Sequence, residues 1–362
     1  MTHPSASVRA GIRTRSGSAN GEVRMVRWAR TLTTSALVVV LLGAGGCGEA
    51  EPAGDSAGQP PEQITYMTAF GAVGRDAFAW VAREKGYFTE AGLEVEIKEG
   101  AGNVTNLTAL KSQQAQFAAL DFTGAVIQAG KGEFTDWRAV AAVHQQTLVS
   151  IMTTKDTGIT SPKDLEGRTI AAATGSVNQL LFPAYARLAG IDPTRVTLQN
   201  AQTTALNGLM ASRQVDALGT FLLSRSALES AAKKEVVVLP YSDYLANLFG
   251  NAIITTPSLL ADDPELVKRF TGAVLKGLRY SVEHPEEAAA ILSRAKPTYP
   301  VAAGVGEIKA MTASVTPTGG AAIGTMDRER VAQTIAVLQE SGIMPAGLTP
   351  EAVVDFGIVG QS

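Results

Sequence analysis

Two stretches of this chain can be laid over one another. AGNVTNLTALKSQQAQFAAL, Ala101–Leu120, and AQTTALNGLMASRQVDALGT, Ala201–Thr220, align with Ser112 on Ser212 and Gln114 on Gln214, and both lead into a short apolar strand pattern. Identity is slight; the shared feature is a plan of helix period, polar break and strand. The first copy sits within ITYMTAF (strand), RDAFAWVAREK (helix), LEVEIKEG (strand), VTNLTALKSQ (helix), FAALDF (strand), a short helix and WRAVAAV. Ala77, Phe78, Val81 and Ala82 form the apolar stripe of the first helix, which stops at Gly86. The second copy sits within TIAAAT, NQLLFPAYARLAG, RVTLQNA, ALNGLMASRQ and DALGTF. There Leu181, Ala184, Tyr185 and Leu188 make the stripe, and Pro183 must fall in the first turn or kink the helix. Strand and helix alternating in this way predict α/β architecture: two lobes of similar build, each a mostly parallel sheet flanked by helices.

The chain passes between the lobes twice. AAVHQQTLVSIMTTK reads as a strand running out of the first lobe. SPKDLEG opens the second, with Ser161 as N-cap, Pro162 at N1 and Asp164 completing a capping box. NLFGNAIITT, Asn247–Thr256, reads as the return strand. Helices follow: Asp263-Pro264 opens one with Leu266, Phe270, Val274 and Leu278 in register, then come HPEEAAAILSRA and DRERVAQTIAVLQESG. The expected division is residues 64–148 plus 252–362 for lobe one with its C-terminal helices, and 149–251 for lobe two. Two crossings make a hinge with a cleft suited to closing around a ligand.

The N-terminal region reads as an address. Arg24, Arg27 and Arg30 precede the apolar run Ala36–Leu42, small residues Gly43–Gly46 follow, and then Cys47. Positive, apolar and small segments in that order are a signal peptide, and the run is shorter than the ~20 apolar residues that span a bilayer. Residues 1–46 are read as leader, with translation expected to start at Met25, where MVRWART is already a complete positive region. AGGC resembles the bacterial lipobox, in which cleavage leaves cysteine first and its sulfur takes a diacylglycerol; Ala44 departs from the usual leucine. Two acyl chains anchor stably because each buried methylene contributes about 0.8 kcal/mol. GEAEPAGDSAGQPPEQ, within residues 47–63, is small and polar and reads as a flexible tether, so folding is expected from Ile64.

Composition removes other classes. Net charge is −3 and aromatics are 6% of the chain, so neither a basic footprint nor a base-stacking platform for nucleic acid is present. One cysteine permits no internal disulfide and no multi-thiolate metal site, and of three histidines His3 lies in the leader and His284 precedes a proline. There is no HExxH, CxxC or EF-hand loop, and TGSVN lacks the GxSxG elbow of a hydrolase. No cofactor, metal or catalytic residue is expected.

VAREKGYFTEAGLEVEI, SPKDLEGRTIA, the GS at Gly175-Ser176, LAGIDPTRVTL, GLMASRQVDA and DPELVKRFTGAVLKGLRYSVEHPEEAAAIL occur in this order over nearly all of Ile64–Leu292. Together they resemble the solute-binding lipoproteins of ABC importers, in the branch that takes nitrate, sulfonates such as taurine, or thiamine pyrimidine precursors. The resemblance implies the type II periplasmic-binding-protein fold. It also implies an extracytoplasmic, lipid-anchored monomer that hands a small solute to a permease and its ATPase. Relatives of this fold that make a pyrimidine rest on a cysteine-rich iron site. Here the only thiol is at the tether, which disfavours an enzyme. A ligand-sensing lipoprotein of the same fold is the other alternative.

Ligands of open α/β sheets bind at the carboxyl ends of strands, where helix N-termini expose free N–H groups. FGAVGRD supplies Phe70, Arg75 and Asp76, with Gly74 allowing close backbone approach; Arg75 and Asp76 either meet a ligand or solvate the helix start. LDFTG supplies Asp121, Phe122 and Thr123, with N-capping the alternative role for Asp121. ATGSVN supplies Thr174, Gly175, Ser176 and Asn178. GTFLLS supplies Thr220 and Phe221, the latter stacking on a ligand or lying in the core. Gln146, Tyr244 and Asn251 near the hinge complete the set. The carboxylates leave less positive charge than a sulfonate or nitrate wants, and favour a neutral or amine-bearing heterocycle.

Overall fold

The structure, a computed structural model, describes residues 60–359; the leader, Cys47 and most of the tether lie outside the described residues. The first strand, β1 (Glu62–Met67), begins ahead of the expected Ile64. Glu62 donates its N–H to Gly92 O at 2.9 Å and its carboxylate accepts from Arg269 at 2.9 Å. Glu62 and Gln63, assigned to the tether, therefore belong to the sheet. After β1 come α1 (Ala77–Glu84), α2 (Tyr87–Glu90), β2 (Leu93–Lys98), α3 (Asn103–Lys111), β3 (Phe117–Asp121), α4 (Phe122–Gly130) and β4 (Arg138–Ala142). Then follow β5 (Val149–Thr154), β6 (Thr169–Ala173), α5 (Val177–Leu188), β7 (Thr197–Ala201), α6 (Leu206–Ala211), β8 (Ala217–Phe221), α7 (Arg225–Ala232), β9 (Val236–Pro240) and β10 (Asn251–Thr255). The chain continues through α8 (Pro257–Asp262), α9 (Pro264–Glu283), α10 (Pro285–Ala295), α11 (Val301–Val315) and α12 (Arg328–Glu340).

The two sheets run β2-β1-β3-β10-β4 and β7-β6-β8-β5-β9. They have one topology. In each, a parallel β-α-β set is completed by a strand that arrives from the other half and lies antiparallel to both neighbours: β10 between β3 and β4, β5 between β8 and β9. Both sheets are thus mixed rather than simply parallel, because each crossing strand enters from the cleft side. The sequence overlay has a structural counterpart. Gln113 and Arg213 both adopt left-handed backbone, at φ 58° and 57°. Gln114 N–H reaches Ala109 O and Gln214 N–H reaches Leu209 O, each at 2.9 Å, the six-to-one bond that closes a helix end. Ser112 and Ser212 return their hydroxyls to the preceding turn at 2.9 and 2.8 Å.

AAVHQQTLVSIMTTK is two strands, not one. β4 stops at Ala142, and residues 143–148 form the first crossing before β5. The second crossing, 246–250, pairs with it: Thr147 N–H donates to Leu248 O at 2.8 Å and Gly250 N–H to His144 O at 3.1 Å. Gly250 is required by this approach, since a Cβ there would lie 2.9 Å from both Gln146 O and His144 Cβ. The SPKDLEG turn forms as read: the Asp164 carboxylate accepts from Ser161 N–H at 2.9 Å and Ser161 Oγ at 3.0 Å.

The first sheet buries its face under α9, whose Leu266, Phe270, Val274 and Leu278 are all sealed; Phe270 stacks on Phe117 with centroids 3.9 Å apart. The α5 stripe is different from that expected. Leu181, Ala184 and Tyr185 are buried, but Leu188 is 40% exposed, and Phe182 and Ala186 pack inward instead. Pro183 falls in the second turn, on the exposed side, where its missing N–H leaves Gln179 O without a helical partner. α12 packs into a core shared by both halves, Val331, Ile335 and Leu338 lying with Phe122 and Trp137 as well as Leu181 and Tyr185.

Candidate functional site

The topology sets where the carboxyl edges meet. β4 ends, the chain crosses, and β5 begins at the edge of the second sheet where β8 ends, with Val149 opposite Phe221. β10 likewise begins where β3 ends, with Asn251 opposite Asp121. The carboxyl edges of the two sheets therefore face each other across the crossings. They touch: a Cβ on Gly124 of α4 would lie 3.7 Å from Val177 Cβ of α5. On another side α11 packs against both the Gly74–Asp76 turn and the Leu222–Ser224 turn.

Arg75 is the centre of charge in this cleft. Asp76, 1% exposed, accepts from Ala69 N–H at 3.0 Å through Oδ1, and its Oδ2 has no hydrogen-bond partner. The nearest cation, Arg75 Nε, stands 3.6 Å from that oxygen and is itself unpartnered. Asp76 does not cap α1, so the solvating role is not realised; its carboxylate turns back to the end of β1. Burial pushes its pKa up to about 6 against the pull of Arg75 and the Ala69 N–H. Asp121 does cap, accepting from Gly124 N–H at 2.7 Å. Its backbone is clasped by Asn103, which donates to Asp121 O at 2.8 Å and accepts from its N–H at 3.1 Å. Burial raises Asp121 to about 7, against Gly124 N–H and Arg75. Asp121 keeps partial exposure, so water relieves some of that cost and Asp76 is the more strictly desolvated acid.

Sequence reasoning missed three neighbours. His144, at the start of the first crossing, is 1% exposed; its Nδ1 accepts from Asn251 N–H at 3.3 Å, which puts the proton on Nε2, and Nε2 has no partner. Burial and then the charge of Arg75 push its pKa down to about 3, so it is neutral at pH 7. Tyr299 accepts from Gly74 N–H at 3.0 Å, and Glu307 on α11 accepts from Arg75 N–H at 3.3 Å. Gly74 is needed for this packing, not for a ligand: a Cβ would stand 2.7 Å from Gly304 O and 2.9 Å from Glu307 Cβ. Both partners come from over two hundred residues downstream, and no local pattern marks them.

Across the cleft, Ser176 sits at the N-cap of α5 with its Oγ buried and unpartnered, beside exposed Thr174 and Gly175; Gly175 N–H donates to Gln179 Oε1 at 3.0 Å. Thr220 Oγ1 bonds Ser224 Oγ at 3.1 Å, and Phe221 is half-buried against both cores. Phe70 is 48% exposed at the end of β1, and Asn251 is half-buried beside His144. Four expected residues do not offer side chains. Phe122 is sealed edge-on between Trp137 and Phe249, because the first residue of α4 faces the core. Thr123 is buried with Oγ1 on Phe249 O at 2.8 Å. The Asn178 side-chain amide is spent on Thr220 O at 2.5 Å, tying α5 to β8, and its backbone carbonyl accepts from Tyr241 OH at 3.1 Å. Tyr244 is 40% exposed but packs edge-on to Tyr185. Gln146 is exposed on the first crossing.

Arg75 Nε, Asp76 Oδ2 and His144 Nε2 are thus unpartnered buried atoms around one charge centre, and Ser176 Oγ is another at the N-cap of α5; Tyr66 OH, Gln128 Oε1, Tyr185 OH and Thr271 Oγ1 are unpartnered elsewhere among the described residues. Buried polar atoms without partners are costly, which makes the group around Arg75 the candidate site. The open surface depression bounded by Lys155, Asp156, Lys234 and Glu235 is a different kind of place, its charges paired at 2.9 Å (Lys155–Glu235) and 2.6 Å (Lys234–Asp156).

The family described as NMT1/THI5 like is matched over residues 76–288. Riboflavin-binding protein RibY of Chloroflexus aurantiacus is 25% identical over 271 residues, 72% of this chain and 76% of its own. The 4-amino-5-hydroxymethyl-2-methylpyrimidine phosphate synthase of Legionella pneumophila is 26% identical over 223 residues, 60% of this chain and 68% of its own. Among solved structures, the periplasmic aliphatic sulphonate binding protein SsuA of Escherichia coli superposes with a TM-score of 0.66 at 16% identity, over 82% of this chain and 92% of its own. At that identity the likeness is one of fold: the two mixed sheets are those of the periplasmic binding proteins.

Proposed function

Because the chain belongs to the NMT1/THI5-like family, we propose that it is the extracytoplasmic solute-binding component of an ABC transporter. It captures a small solute between lobes divided near residues 148/149 and 251/252, and delivers it to a membrane permease. The observation that carries this is the set of buried, unpartnered polar atoms at the meeting carboxyl edges: Arg75 Nε, Asp76 Oδ2, His144 Nε2 and Ser176 Oγ. Arg75 is the cation acting on Asp76 and Asp121, and the Glu307 carboxylate also acts on Asp76, so acid exceeds base at the site. That balance favours a planar heterocycle offering N–H donors to the carboxyls and an acceptor to Arg75 and His144, over nitrate or a sulfonate. Exposed Phe70 supplies an aromatic face.

The reading is of a carrier without catalysis, held at the membrane by lipid on Cys47 and acting as a monomer. The relative with a synthase's name does not alter this, since a cysteine-rich iron site has no counterpart in a chain with one cysteine. A thermal-shift panel of riboflavin, aminopyrimidine precursors, taurine, other alkanesulfonates and nitrate tests the ligand class. A true ligand at 100 times its Kd stabilises by about 2.7 kcal/mol, and a response to nitrate or sulfonate alone overturns the heterocycle. Mass spectrometry of the membrane-extracted N-terminus tests the anchor: an unmodified Cys47 removes it.

A further inference from the structure

We propose that Arg330, at the start of α12, sets the angle between the two halves by clasping both crossings at once. It thereby positions the recognition groups without touching a ligand. This inference rests on reading the cleft as the binding site.

The guanidinium donates to the first crossing through Gln145 O and, at 3.3 Å, Gln145 Oε1. It donates to the second through Asn247 O at 3.3 Å and Ala246 O at 3.4 Å, and it lies over the Phe249 ring at 4.1 Å from the centroid. One turn further along the helix, Thr334 Oγ1 adds a bond to Asn247 O at 2.8 Å. Gln145 is held from its other side, its Nε2 donating to Thr325 O at 2.9 Å and its N–H to Ser314 O.

A hinge works by letting a few residues change φ and ψ. The crossings already pair with each other through Thr147 and Gly250, so they bend as one ribbon. Arg330 ties three of that ribbon's carbonyls to α12, whose apolar face is seated in the core shared by α4 and α5. Carbonyls 145 and 246–247 cannot rotate independently of the helix while the fork is engaged. Only arginine has donors in a rigid plane able to reach both crossings while its face stacks on Phe249. The same residues put His144 and Asn251 into the cleft, because both lie within a few positions of the clasped carbonyls.

The test measures interlobe distance without ligand. The full chain carries Cys47→Ser, Val104→Cys on α3 and Leu198→Cys on β7, both exposed positions, with spin labels on the two new thiols read by pulsed electron resonance. The parent is expected to give one dominant distance. Arg330→Ala is expected to shift the distribution to longer and broader distances while far-ultraviolet dichroism is retained. Arg330→Lys, which keeps the charge but loses the fork and the planar stack, is expected to shift the same way, and Thr334→Val to shift less. Distributions that superimpose on the parent while the melting temperature falls overturn the proposal, leaving Arg330 a stabilising residue only. If Arg330→Ala does not fold, Arg330→Lys decides by the same criterion. No ligand enters the measurement, so an error in the ligand class leaves this result intact.

Discussion

Replacing Asp76 by asparagine is expected to stabilise the protein above neutral pH while weakening solute capture. The argument is one of linkage. The Asp76 carboxyl is 1% exposed, accepts one hydrogen bond from Ala69 N–H at 3.0 Å, and leaves Oδ2 without a partner. Burial raises its pKa from 3.8 to about 6. The folded chain therefore holds this proton more tightly than the unfolded chain does. Stability falls as pH rises from the unfolded value toward the folded one, and the loss is complete above it. At about 1.36 kcal/mol per pH unit, the interval from 3.8 to about 6 amounts to roughly 3 kcal/mol withheld from folding at pH 8. Asparagine keeps an oxygen for Ala69 N–H and carries no charge to desolvate, though its amide faces Arg75 Nε where Oδ2 stood. Urea unfolding at pH 4 and pH 8 separates the effects. The variant's advantage over the parent should grow by about 2.4 kcal/mol between the two pH values, since roughly 0.5 kcal/mol is already lost to the parent at pH 4, whatever the constant offset from repacking. A difference between variant and parent that does not change with pH, or that turns against the variant at pH 8, refutes the claim that this carboxylate is ionised at a cost.

Other consequences are equally direct. His144 is buried neutral with its pKa pushed from 6.5 down to about 3, so its contribution has the opposite sign: stability is present above 6.5 and is lost as pH falls toward 3. At about 1.36 kcal/mol per pH unit this approaches 5 kcal/mol; in an Asp76→Asn background, His144→Gln should flatten the acid limb of a stability-versus-pH curve from urea titrations. Pro183→Ala restores a donor to the second turn of α5 on its exposed face and should raise stability by about 2 kcal/mol, the ~3 kcal/mol helix penalty of proline less the entropy it removes from the unfolded chain. Calorimetry showing no gain would mean that the α5 backbone is shaped to do without that bond.

What was legible in the sequence was local. Apolar period located α1, α3, α9 and their strands, and the overlay of Ser112 on Ser212 found a helix ending that the backbone repeats, left-handed at Gln113 and Arg213. Side-chain direction at strand ends was not legible. LDFTG offered Asp121, Phe122 and Thr123 as equals. Once Asp121 caps α4, helical geometry turns Phe122 and Thr123 into the core and leaves only the aspartate at the edge. The same limit explains Leu188: the α5 stripe is still buried at Tyr185 and Ala186, and the last residue of the helix turns out of the core. Asp76 shows the reverse. Its position before a helix suggested a group that meets a ligand or solvates the helix start, yet the 3₁₀ turn Gly74–Asp76 rotates its carboxylate toward Ala69 instead.

The long-range members of the site are illegible for a different reason. Tyr299 and Glu307 reach the Gly74–Asp76 turn only because α11 packs there, with Gly74 and Gly304 meeting at a distance no side chain would allow. His144 enters the cleft because the crossing strand β10 is inserted antiparallel beside β4, bringing Asn251 N–H to its Nδ1. Both depend on a chain that leaves its first sheet and returns, which fixes neighbours more than a hundred residues apart. The unsatisfied atoms follow from this construction. α11 covers the Gly74–Asp76 turn and the Asn251 backbone covers His144, and this packing leaves Arg75 Nε, Asp76 Oδ2 and His144 Nε2 buried without hydrogen-bond partners. On the proposed function, a ligand that completes those bonds favours one arrangement of the halves over another only by the difference in its affinity for the two.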